Sequence, residues 1–174
     1  IGLGGSEQKY PAHLFKDVFK EAKSRGFHVV AHAGEVSGPE SIWSAIKDLE
    51  VERIGHGVRA IEDPELIEYL VEHQIPLEVC INSNIKTGVY PNYQEHTLPS
   101  LVEKGAFVTL NSDDPTMFGA SLSDEYIVAK NEMGIKLNNI NRILNYTIEA
   151  SFATVEEKNF YKKQLNSYWI SNIN

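Results

Sequence analysis

The chain has 174 residues, 42% of them hydrophobic and 23% charged, which is ordinary for a globular domain and enough to bury a sizeable core. No run approaches the length of a membrane span, and a formal charge of -8 lacks the basic footprint of a nucleic-acid binder. Composition therefore points to a small-molecule partner, with no nucleic acid and no membrane. Cys80 is the only cysteine, which excludes an intrachain disulfide and a C-x-x-C zinc site and fits a reducing, cytoplasmic setting.

In chain order, strand, loop and helix recur. Ile1 to Leu3 reads as a strand end followed by Gly4-Gly5-Ser6-Glu7. Ala12 to Ser24 places Leu14, Phe15, Val18, Phe19 and Ala22 on one helical stripe, and Gly26 stops it. Phe27, Val29, Val30 and Ala31 predict a short buried strand that ends in His32-Ala33-Gly34-Glu35. Pro39 opens a helix burying Ile42, Ile46 and Leu49, and a strand carries Arg53-Ile54-Gly55-His56-Gly57. Asp63-Pro64 caps a helix with Leu66, Ile67, Leu70 and Val71 on its buried face.

The strand Leu77 to Ile81 then leads to a loop, Asn82-Ser83-Asn84, and a short helix through Leu101 and Val102 passes Gly105. A strand from Phe107 to Leu110 ends at Asn111-Ser112-Asp113-Asp114-Pro115. Beyond Leu122 the pattern is helical: Tyr126 and Ile127 make one face, and Ile140, Ile143, Leu144 and Ile148 make another. Thr154 caps a last helix from Val155 to Gln164, and the polar tail Ser167 to Asn174 has no assigned structure. With neither linker nor low-complexity segment, residues 1–174 read as one α/β domain or a piece of one.

The polar clusters fall after the strands, where parallel α/β sheets carry their sites. Singly they have bland readings. His32 could be a satisfied core histidine, His56 between two glycines a loop residue, and Asp113-Asp114-Pro115 ordinary turn chemistry. His28 cannot join His32 on one ion, because four strand residues separate the two rings by about 13 Å. Together, histidine, acid, histidine and paired aspartates at successive strand ends read as a hydrolytic metal site.

The motifs H-A-G-E (His32–Glu35), R-I-G-H-G (Arg53–Gly57), Ser83-Asn84 with Thr87-Gly88, L-N-S-D-D-P (Leu110–Pro115) and E-A-S-F-A (Glu149–Ala153) resemble the adenosine deaminase family in order and approximate spacing. The resemblance implies about five strands from the C-terminal part of a (β/α)8 TIM-type barrel with extra C-terminal helices. It implies zinc as cofactor, with His32 and Asp113 as ligands, and a purine nucleoside as substrate. Glu35 would give a proton to the purine ring, and His56 would orient the attacking water and help deprotonate it. Asp114 and the Gly5 backbone would hold the remaining ring nitrogens. The products would be inosine and ammonia.

The pattern departs at Ile81 and Thr97, where the family commonly has proline, and no H-x-H pair, the family's source of two further zinc ligands, occurs in the chain. With Ile1 at its start, the chain is expected to be a C-terminal fragment, inactive alone and self-associating through open sheet edges. Adenine or another 6-aminopurine is the alternative substrate, although Gly55 and Thr87-Gly88 favour the nucleoside. A non-catalytic half-barrel acting by association is the third reading.

Overall fold

The structure, a computed structural model, describes residues 1–172. Its centre is a parallel sheet of five strands: β1 (Gly2–Leu3), β2 (Val30–Ala33), β3 (Arg53–His56), β4 (Leu77–Val79) and β5 (Val108–Leu110). Their spatial order is their chain order, and register pairs Ala33 with His56 and Val79 with Leu110, which brings the C-terminal ends to one rim. β1 and β5 are the outer strands of this open ladder. It is an arc of a (β/α) barrel.

Helices fill the crossovers: α1 (Lys16–Ser24), α2 (Pro39–Leu49), α3 (Pro64–Glu72), α4 (Ile81–Lys86) and α5 (Leu98–Glu103). After β5 come α6 (Pro115–Phe118), α7 (Leu122–Asn131), α8 (Leu137–Ala150) and α9 (Val155–Asn172). Ile42, Leu49, Leu66 and Leu70 from the helices pack with Ile54, Leu77, Val79 and Leu110 from the strands. The Asp63 carboxylate accepts from the N–H groups of Glu65 and Leu66, so α3 starts where its proline and acid predict.

Several predicted boundaries move. Phe27 is 57% exposed and precedes β2, because its N–H returns to the Ala22 carbonyl and completes the C-terminal stop of α1. A 3-10 turn over Ala12–Phe15 shifts the phase of α1, leaving Leu14 and Val18 exposed while Phe19 and Ala22 are buried. Ile81 and the expected loop Asn82-Ser83-Asn84 form α4. On α7 Ile127 is exposed and Tyr126 half-buried, and the inward residues are Glu125 and Ala129.

The last two corrections share one cause. Glu125 turns inward and accepts from the backbone N–H groups of Ile81 and Asn82 and from the Asn82 amide. It thereby satisfies the first turn of α4, and Ile81 supplies an N–H that proline would lack. Glu125→Ala is expected to cost roughly 3 kcal/mol, because it strands buried donors and leaves a void. Urea unfolding checks this; a change under about 0.5 kcal/mol would remove Glu125 from the capping role.

The C-terminal helices are attached at the opposite rim. Phe152 lies between the His28 imidazole, stacked at 3.8 Å, and the Arg53 guanidinium, 3.8 Å from its centroid. Arg53 also donates to the Ala150 carbonyl, and His28 pairs with Glu52. His28 and the E-A-S-F-A segment therefore tie α8 and α9 to the sheet. Thr154 and Glu157 form a reciprocal cap for α9, which continues through most of the tail and buries Trp169. Ile173 and Asn174 lie outside the described residues.

Candidate active site at the strand ends

Two strands deliver side chains through strained backbone. His56 at the end of β3 has φ 63° and Asp113 just after β5 has φ 53°, both in the left-handed region that non-glycine residues rarely occupy. Gly57 follows His56 at φ 64°, and a Cβ there would lie 2.6 Å from Leu77 Cδ2, so the turn requires glycine. These turns set His56 Nε2 3.5 Å from Glu35 Oε2 and 4.0 Å from Asp113 Oδ2. The His32 ring meets the His56 ring edge-on, with centroids 4.8 Å apart.

The turn that carries Glu35 is clamped from the β1 side. Glu7 accepts from the N–H groups of Gly34, Val36 and Ser37 at 2.5, 2.8 and 2.9 Å and from the Ser41 hydroxyl. Ser83 Oγ donates to Asp113 Oδ2 at 2.7 Å, fixing that carboxylate from α4.

Burial and charge then act on the protons. Burial, helped by the charges of Asp113 and Glu7, raises the Glu35 carboxyl to about 7. Burial, with His32 beside it, lowers His56 to about 4 against the opposing pull of Asp113 and Glu7. Near neutral pH, Glu35 can keep a proton while the imidazole is uncharged. Burial also pushes the Cys80 thiol up, so it stays protonated.

Two donor groups meet here. Ligand atoms of His32, Glu35 and His56 lie within 4.8 Å of one another, and so do those of His56, Cys80 and Asp113. Imidazole nitrogen and carboxylate oxygen suit zinc, so the donor set fits that metal in kind, with His56 common to both groups. Gly5, at φ 105°, shares a small cleft with His32. Asp114 is exposed at the start of α6, and its side chain belongs to neither donor group. A cleft of about 410 Å³ runs from Glu35 past Arg59 to Thr87, Gly88 and Tyr90. A second, of about 340 Å³, is bordered by His32, Gly55, His56 and Asp113.

Sequence reasoning missed Glu7 and Glu125. The Gly-Gly-Ser-Glu run after a strand end was a usable signal for Glu7, being the same kind of polar loop as the other four. Glu125 offered none, since a single glutamate in a polar helix gives no sign of turning inward. His96, just before Thr97, is buried and packs against the Tyr90 ring, with centroids 4.6 Å apart. Thr97, at the other position that departs from proline, donates its hydroxyl to the Val58 carbonyl.

Burial lowers His96 from 6.5 to about 4. A histidine with a depressed folded pKa contributes stability above its unfolded pKa that is lost as pH falls toward the folded one. Acidification from about 6.5 to 4 should therefore remove roughly 3 kcal/mol through this residue, with His56 adding in the same direction. Urea unfolding of the chain and His96→Gln across that range checks it. A slope the substitution leaves unchanged would mean that His96 already charges in the folded protein.

Among known proteins, residues 1–168 match the family model described as adenosine deaminase. An adenosine deaminase from Klebsiella pneumoniae is 41% identical over 91% of this chain and 47% of its own length. An aminodeoxyfutalosine deaminase from Streptomyces avermitilis is also 41% identical, over 97% of this chain and 47% of its own. The crystal structure of an adenine deaminase from Arthrobacter aurescens superposes with a TM-score of 0.95 at 31% identity, covering 98% of this chain and 52% of that one. The chain thus spans about half the length of the relatives it matches.

Proposed function

The chain belongs to the adenosine deaminase family, and on that premise we propose that it carries the proton-handling side of a zinc-dependent site that hydrolyses adenosine, and deoxyadenosine, to the inosine product and ammonia. The observation that carries this reading is the meeting of Glu35, His56 and Asp113 around one space, with His56 Nε2 3.5 Å from Glu35 and 4.0 Å from Asp113. Attack of water on an aromatic amidine carbon needs an acid at the ring nitrogen and a group to hold the water, and these side chains divide that work.

His32 and Asp113 would hold the zinc, which when bound supplies Lewis acidity and brings the pKa of water toward 7. Glu35, kept protonated by burial, gives its proton to the ring nitrogen next to the amino-bearing carbon. His56 holds the attacking water. The water oxygen bonds to that carbon, the carbon–nitrogen bond breaks, and the amino group leaves as ammonia. The ring nitrogen keeps the proton from Glu35, and of the two hydrogens that water loses one completes the ammonia and the other restores the Glu35 carboxyl. The Gly5 backbone and Asp114 are assigned to the ring's other nitrogens.

The cleft that runs from Glu35 to Thr87 and Gly88 supports a nucleoside, because it extends the site beyond what a free base fills. The adenine reading is the second, favoured by the likeness to the Arthrobacter adenine deaminase structure. Zinc analysis of the purified gene product, with ultraviolet assays on adenosine, deoxyadenosine and adenine, tests both. Turnover of the nucleosides supports the proposal, turnover of adenine alone moves it to the second reading, and no deamination by a zinc-loaded protein overturns both. In that last case the open edges at β1 and β5 leave association as the remaining role.

A further inference from the structure

A run of buried hydrogen bonds leads away from the site through α4 to the start of α5, and its direction is set at its far end. The Leu98 backbone N–H donates to His96 Nδ1 at 3.0 Å. A backbone N–H can only donate, so Nδ1 carries no proton, and the single proton of the neutral ring sits on Nε2. His96 Nε2–H therefore donates to Asn84 Oδ1, at 3.2 Å. The other end of that amide is an NH2 group, again a donor only, and it lies 3.3 Å from His56 Nδ1. Rotating the amide by half a turn would set donor against donor at His96.

From this geometry we propose that Asn84 and His96 are positioning residues that hold the His56 imidazole with its proton on Nε2, so that the ring meets the attacking water as a hydrogen-bond donor and not as a base. The clause about water rests on the deaminase reading; the tautomer does not. His56, Asn84 and His96 are 2%, 0% and 3% exposed, so no solvent competes for these partners. The bonds themselves require both rings to be uncharged, because an imidazole whose Nδ1 accepts a hydrogen bond has room for one proton only, on Nε2. The Nε2–H then points toward Glu35 and Asp113, where it opposes loss of the water from the site and leaves proton removal to a carboxylate.

The test is long-range 1H–15N correlation spectroscopy of the 15N-labelled, metal-free chain at pH 8, with the His56 signals taken as those lost in His56→Gln. A bare Nδ1 and a protonated Nε2 are expected for His56. Asn84→Asp replaces the amide by a carboxylate that accepts at both ends, so the His56 proton should move to Nδ1 while His96 keeps its own on Nε2. His96→Leu frees the Asn84 amide to turn and should give both His56 tautomers.

A wild-type His56 protonated on Nδ1 overturns the proposal. So does a His56 that stays wholly Nε2–H in Asn84→Asp or, should that variant not fold, in His96→Leu. Failure of the purified protein to deaminate adenosine would sink the reading of the site and leave these spectra unaffected, so the two failures are distinguishable.

Discussion

If the proposed deaminase reading holds, Glu35→Gln is expected to leave metal content unchanged and lower adenosine turnover by about 10²-fold or more, the scale of general acid catalysis. Glutamine preserves the size of the side chain and removes only the transferable proton. The effect is expected to be large because burial, with the charges of Asp113 and Glu7 adding to it, brings the Glu35 carboxyl to about 7, so a large share of it holds a proton near neutral pH. Its oxygens also lie within ligand distance of His32 and His56, so the geometry would admit it to a metal shell. Metal analysis alongside kinetics separates the roles: lost zinc would make Glu35 a ligand, and unchanged turnover would remove it from the chemistry.

Glu7→Ala should be the change away from the reacting groups that lowers turnover most. The carboxylate gathers three backbone donors of the turn that carries Glu35, those of Gly34, Val36 and Ser37, and the Ser41 hydroxyl as well. Alanine leaves those N–H groups partly buried and unpaired, which costs roughly 2 kcal/mol once water reaches the more exposed of them. A Glu35 displaced by an ångström should lower turnover by about 10-fold or more with little change in metal content. Thermal unfolding and steady-state kinetics measure the two effects. An unmoved melting temperature would mean that the turn holds itself.

Legibility followed the range of the interactions. The β-α alternation, the Asp63-Pro64 start and the Thr154 cap were readable because each depends on residues within a turn of one another. His32, Glu35, His56 and Asp113 stood out because each ends a strand on a polar loop. The helix over Ile81–Lys86 was not readable, since its first N–H groups are satisfied by a side chain more than forty residues away. The phase of α1 failed for a local reason, a 3-10 turn that residue period cannot distinguish from α-helix. Ser83 and Asn84 were rightly placed near the site, but as a loop, which hid the direction in which Asn84 points. His96 could not be connected to His56 from spacing at all.

The sequential order of the strands also bears on how the molecule comes together. Each strand pairs with its neighbour in the chain, so every step of sheet growth closes a loop of about one β-α unit, and the entropy of closure stays modest throughout. Such a sheet can lengthen as the chain leaves the ribosome, one strand at a time. Phe152 is the exception. Its place between His28 and Arg53 joins residues about a hundred positions apart, so it forms only after the sheet and α8 exist. In native-state hydrogen exchange, α8 and α9 should accordingly open together and before the central strands, with Phe152→Ala lowering their protection while leaving that of β3 and β4 close to the global value.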